Sequence, residues 1–142
     1  MNSGKKLNKG SAGQNRKSGQ VFIEKYRQKA GVQQTSSGLL YRVLEQGDGI
    51  FPTNSDSVVV NQRILNADGS VIADTYKAGL PDTFTMKEAI PGLREGLLLM
   101  AVGGRNELVI PPELAWGRRG ATNKIGPNTV LVIDVRLLEV LF

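Results

Sequence analysis

A chain of 142 residues, 40% hydrophobic and 22% charged, suits one folded domain with a real core. It has no cysteine and no histidine, which excludes disulfides, thiolate metal sites and most hydrolase mechanisms, since these rely on an imidazole base. The net charge of +5 is lopsided: residues 1–31 hold eight Lys/Arg against Glu24 alone, for +7, and the remainder sums to −2.

Residues 1–18 are mostly Gly, Ser, Asn and Lys with almost nothing to bury, and are expected to form a disordered basic arm. The arm has the charge of a signal sequence but no apolar core, and nowhere does an apolar run approach the roughly 18 residues that span a bilayer. The expected location is the cytoplasm, or the periplasm if a leader has been removed. Residues 19–36 are expected to hold a short helix and a linker. Phe22, Tyr26 and Ala30 recur at helical spacing over 20–30, with Ser18 as N-cap and Gly31 after the end.

From Ser37 the pattern changes to short strands: 39–44, closed by Gly47-Asp48-Gly49, then 58–65. Asn66-Ala67-Asp68-Gly69-Ser70 makes a hairpin turn into Val71-Ile72, and 83–86 is a brief extended piece. Residues 91–101 form the main predicted helix. Pro91 suits its first turn, Leu93, Leu97, Met100 and Ala101 share a face, and Gly103-Gly104 ends it. A strand at 107–110 must stop at Pro111-Pro112, which lack two backbone donors, so the lone tryptophan, Trp116, sits on a rigid corner. The following Gly-Arg-Arg-Gly stretch has no Gly-Lys-Ser/Thr ending and no helix after it, which argues against a phosphate loop. At 130–137, Leu131, Ile133, Val135 and Leu137 alternate with Asp134 and Arg136 as a closing strand. Strands around one helix argue for the α+β class.

Three blocks carry a resemblance. Ala89-Ile90-Pro91-Gly92-Leu93-Arg94-Glu95-Gly96-Leu97, the Val109–Gly117 corner, and the 127–138 segment beginning Pro127-Asn128 occur in order and in register. Together they are similar to the FKBP-type peptidyl-prolyl isomerases over residues 37–142. The resemblance implies an antiparallel, strongly bent half-barrel of five or six strands wrapped around one central helix, with an apolar pocket for an Xaa-Pro segment. Rotation about the X–Pro bond needs no proton transfer, nucleophile or metal. Its barrier of roughly 18–20 kcal/mol comes from amide resonance, and a dry pocket favours the less dipolar twisted amide. No cofactor is expected.

Carried over position by position, the resemblance places Trp116, Ile90, Leu93, Ile72, Phe84, Ile125, Ile133 and Asn61 in substrate contact, with the Ile90 N–H as anchor for a carbonyl. Several of these depart from the family. Trp116 stands for a tyrosine, Leu93 for a floor tryptophan, Asn61 for a strand tyrosine, Ile72-Ala73 for Phe-Asp, Asp82 for an aromatic and Ile133 for phenylalanine. Arg63, at a position the family gives to glycine, is long enough to fill the space Leu93 leaves, or to pair with Asp74 or Asp82; Val58, Val60 and Ile64 make the opposite parity, with Asn61 and Arg63 facing away, at least as apolar. The loop is expected to be looser, because Thr122 and Gly126 stand where the family has proline. The implied activity is prolyl isomerisation in protein folding, weakened by the altered pocket, with a macrolide-type ligand as a further expectation. Two alternatives are a non-catalytic peptide-binding module and docking of the basic arm to RNA or an anionic surface; nucleic acid is the less favoured partner. A monomer is expected.

Overall fold

The computed structural model describes residues 11–121 and 125–142. Helix α1, Ala12–Arg27, begins eight positions before the expected start. Ser11 caps it by accepting from the Gln14 N–H at 3.1 Å, whereas Ser18, the expected cap, turns its hydroxyl back onto the Gln14 carbonyl. Tertiary bonds hold the first turns: Asn15 Nδ2 donates to the Pro127 carbonyl at 2.8 Å and Asn128 Nδ2 to the Ala12 carbonyl at 3.1 Å. The expected disorder is therefore corrected for 11–18, and its first ten residues lie outside the described ones. Ala30 falls beyond the helix and is exposed, so the apolar spacing ends at Tyr26.

The strands are β1 (Gln33–Gln34), β2 (Leu40–Glu45), β3 (Ser57–Asn66), β4 (Val71–Asp74), β5 (Asp82–Thr85), β6 (Arg105–Ile110) and β7 (Leu131–Leu141). They form one antiparallel sheet of seven strands in the order β1-β2-β6-β7-β3-β4, with β5 also on β3. The count exceeds the expected five or six because the two-residue β1 pairs with β2, too short and polar to show as periodicity. Long β3 pairs with β7 along its whole length. Its other edge is shared, Arg63–Leu65 meeting β4 and Ser57–Val60 meeting β5. Between those halves the chain detours through α2, Thr75–Ala78.

Helix α3, Pro91–Leu98, fills the concave side of the sheet. Its Leu93 and Leu97 join Val58, Val60, Leu108, Ile110, Ile133, Val135 and Leu137 in the main core. Two glycines let it lie close to β6: a Cβ on Gly92 would stand 2.4 Å from Ile110 Cγ2, and one on Gly96 2.5 Å from Leu108 Cδ1. The convex side carries a smaller cluster, in which α1 buries Tyr26 against Leu40, Val109 and Val130. Tyr26 Oη donates to Glu107 Oε1 at 2.7 Å, and Arg42 shares the same oxygen at 3.0 Å. Burial, with the Glu107 bond after it, pushes the Tyr26 phenol well above its ordinary value.

Candidate functional site

The helix does not fill the concave side completely. Beyond Leu93 lies an apolar cavity of about 310 Å³, lined by Ile64, Ile72, Phe84, Ala89, Ile90, Leu131, Ile133, Ile125 and Trp116, with Gln62 and Glu88 as its polar members. Leu93 is the floor, and the indole of Trp116 is half in solvent at the mouth. Fine placement of that indole follows from the double-proline corner. Pro112–Leu114 forms one 3-10 turn, and the Gly117 N–H closes back on the Pro112 carbonyl at 2.9 Å. Gly117 needs its positive φ of 60° to do so.

At the base of the opening, Ile90 is the residue before α3, with φ −60° and ψ 152°. Its carbonyl accepts from Arg94 N at 3.0 Å, and its N–H makes no hydrogen bond within the described chain. The approach to Ile90 is fixed from two sides. Thr85 and Glu88 form a capping box on the Met86–Glu88 turn, the Thr85 N–H and hydroxyl both donating to Glu88 Oε1. These bonds hold the Glu88 carboxyl below its ordinary range. Arg94, which sequence reasoning missed, donates to the carbonyls of Met86 (3.0 Å) and Ala89 (2.9 Å), tying the turn to the helix. Its signal was its position on the helix, one turn from the turn it binds.

Seven of the eight sequence-selected residues line this one cavity; Asn61 does not. Strand parity decides that. Val58, Val60, Gln62 and Ile64 of β3 point to the concave side, so Asn61 and Arg63 point away. Asn61 Oδ1 instead accepts from Thr75 Oγ1 at 2.9 Å, and Arg63 pairs with Asp74 at 3.5 Å. The position of Asn61 in the site is therefore taken by Gln62, and Arg63 does not fill the cavity. Asp82 contributes through Gln62, whose Nε2 donates to Asp82 Oδ2 at 2.9 Å. Arg118 and Arg119 are exposed on the loop after Trp116, while Thr122 and Lys124 lie outside the described residues.

Among the described residues no nucleophile lines the cavity, and its one carboxylate, Glu88, is engaged by Thr85. The cavity offers a shaped apolar space, one aromatic wall and a free backbone donor beside it, which is the equipment for holding an uncharged, carbonyl-bearing segment. No group of three or more metal-ligating side chains occurs among the described residues.

Comparison with known proteins agrees with this geometry. The family of "FKBP-type peptidyl-prolyl cis-trans isomerase" matches residues 49–138, and "Domain amino terminal to FKBP-type peptidyl-prolyl isomerase" matches 2–43. The chain is 43% identical over 129 residues to the FKBP-type peptidyl-prolyl cis-trans isomerase FkpA of Escherichia coli K12, covering 91% of this chain and 47% of that protein. It is 37% identical over 129 residues to the outer membrane protein MIP of Legionella longbeachae, covering 91% of this chain and 55% of that one. The crystal structure of Escherichia coli FkpA superposes with a TM-score of 0.88 at 43% identity, over 92% of this chain and 61% of the other. The chain thus spans about half the length of these curated relatives. Fold, cavity and sequence agree that the chain belongs to the FKBP-type peptidyl-prolyl cis-trans isomerase family.

Proposed function

We propose that this chain is a peptidyl-prolyl cis-trans isomerase that assists protein folding and works on Xaa-Pro segments of unfolded chains. The carrying observation is the open apolar cavity under Trp116, beside an Ile90 N–H free to receive a substrate carbonyl. A proline ring entering it leaves water, and its amide loses less by twisting there than in solvent, because the planar form is the more dipolar. Substrate contact is assigned to Ile90, Leu93, Ile72, Phe84, Ile125, Ile133 and Trp116. Only Phe84 and Trp116 among the lining residues are aromatic, which supports a rate below that of a relative with a ring-lined pocket.

Proline tetrapeptides assayed beside Escherichia coli FkpA test this. Acceleration of cis-to-trans exchange, slower than FkpA and lost in Trp116→Ala, is the expected result. No acceleration at any enzyme concentration overturns it. Quenching or shift of Trp116 fluorescence on peptide addition, without acceleration, selects the second reading, a binding module of the same fold, which the small number of aromatic residues in the cavity favours. The same fluorescence titration tests a macrolide-type ligand.

Outside the cavity, a monomer is proposed, checked by a hydrodynamic radius that does not change with concentration. No helix among the described residues is long and apolar enough to cross a membrane. The cytoplasm expected from the sequence has a competitor, since one relative is named an outer membrane protein. We favour the periplasmic alternative, and fractionation of cells decides it. Docking of the basic N-terminal residues to RNA remains the weakest reading; deletion of residues 1–10 leaving salt-sensitive RNA retention unchanged eliminates it.

A further inference from the structure

Among the described residues, Gln62 is the one uncharged polar side chain of the cavity wall, and it is 5% exposed. It sits where β3 has no strand partner on one edge, between the β5 register ending at Val60 and the β4 register starting at Arg63. Thr75 Oγ1 fills that gap, accepting from the Gln62 N–H at 2.8 Å. The side-chain amide is oriented from outside the cavity. Asp82 Oδ2 can only accept, so the nitrogen of Gln62 must face it, at 2.9 Å, and the oxygen must face the other way. That oxygen, Oε1, is shielded from solvent and has no hydrogen-bond partner. A buried amide oxygen without a donor is costly, and this one belongs to a residue of the cavity wall.

We propose that Gln62 Oε1, held in place by Asp82, is an acceptor subsite that selects Xaa-Pro segments bearing a hydroxyl donor on a residue next to the proline. This rests on the prolyl-binding reading and adds to it a substrate class. In the empty cavity Oε1 goes without a donor, so only an occupant that brings one gains a bond there. A segment with a threonine or serine hydroxyl in reach supplies the missing donor, whereas one with valine or alanine leaves the oxygen unpaired. Sites built to hydrogen-bond a substrate group discriminate against its absence more strongly than apolar sites discriminate by size.

Threonine and valine have the same shape and differ in the hydroxyl, so paired peptides isolate the effect. Thr-Pro is compared with Val-Pro, and Pro-Thr with Pro-Val, by isomerisation rate and by Trp116 fluorescence titration. The expected result is a preference for threonine of roughly tenfold at one of the two positions, carried mainly by affinity. In Gln62→Leu the preference disappears because the threonine peptide loses its acceptor. Asp82→Asn, a change at a half-exposed strand end, is the second variant should Gln62→Leu fold poorly. Its amide can donate to Oε1 directly, so the preference falls without loss of the fold, as read by circular dichroism. Equal treatment of threonine and valine at both positions, with proline peptides still bound, overturns this inference and leaves the isomerase reading standing. A threonine preference that survives both substitutions also overturns it. Failure to bind or accelerate any proline peptide overturns the underlying reading together with this one.

Discussion

The two faces of the sheet are built from the same strands and come to opposite ends. On the concave face, Val58, Val60, Leu108, Ile110, Ile133 and Val135 meet α3 and make a dry core. The convex face splits. Leu40, Val109 and Val130 form an apolar strip under α1, and beside it lies a ladder of charge. There Arg105 Nη2 meets Asp134 Oδ2 at 2.7 Å, Arg42 meets Glu107 at 3.0 Å, and Arg136 pairs with Glu45. Tyr76 of α2 adds its hydroxyl to Asp134 at 3.1 Å, and burial followed by the Asp134 charge raises that phenol to about 12. The difference teaches where function can sit. Concave residues are held by packing, so a gap left by α3 stays open and apolar; convex residues are held by paired charges that hold the cover in place.

The largest effect should come from the concave face. Leu97→Ala removes a fully buried side chain between α3 and the sheet, with an expected loss of about 2–5 kcal/mol by denaturant melting. A loss below 1 kcal/mol would mean the cavity above Leu93 collapses freely, against the rigid-floor picture. Next, Gly96→Ala places a methyl where Leu108 already stands, and about 1–3 kcal/mol should be lost together with a widened gap between α3 and β6. Unchanged stability would show the helix is free to shift.

A convex substitution should be smaller and local. Tyr26→Phe deletes the bond to Glu107 while keeping the ring, and should cost about 1 kcal/mol. Hydrogen exchange should quicken in residues 12–27 and not in α3, and isomerisation of a proline peptide should be unchanged. Quickening in both regions would deny that the two faces are independent.

The smallest effects are those of pH, and they have opposite signs on the two sides. Tyr26 has a folded value raised above its ordinary 10.0, so its contribution is full below 10.0 and fades as pH climbs through the raised value. Alkali should therefore release α1 first, and Tyr26→Phe should remove that dependence. Glu88 has a folded value below its ordinary 4.5, so its contribution is full above 4.5 and is lost as pH falls through the lowered value. Acid should loosen the turn leading to Ile90, and Thr85→Ala, which deletes the hydroxyl partner, should weaken that acid response. Peptide binding that is insensitive to acid in both proteins would separate Glu88 from the cavity.

Local chemistry determined much of this molecule. The 2-residue alternation of 130–137, the Pro91 helix start and the double-proline corner each have one good solution, so the starts of β7 and α3 and the Trp116 mount could be read directly, whereas α3 stops at Leu98 rather than at 101 and β7 runs on to Leu141. Ile90, Leu93 and Trp116 ride on those elements, but their place in the site was implied by the family resemblance and not by the local pattern. Gln62 was missed because Val58-Val59-Val60 is apolar on both parities, so the strand's two facings stayed open even though Ile64 favoured the one the structure adopts.

Tertiary structure alone decided the rest. Residues 12–18 have no apolar stripe to announce a helix, and they become one because Asn128 and Pro127, more than a hundred positions away, bind Ala12 and Asn15. The tie between Asn61 and Thr75 and that between Gln62 and Asp82 likewise join residues separated along the chain. Periodicity reports what a segment can bury, whereas a hydrogen bond across the fold exists only once both partners have been brought together.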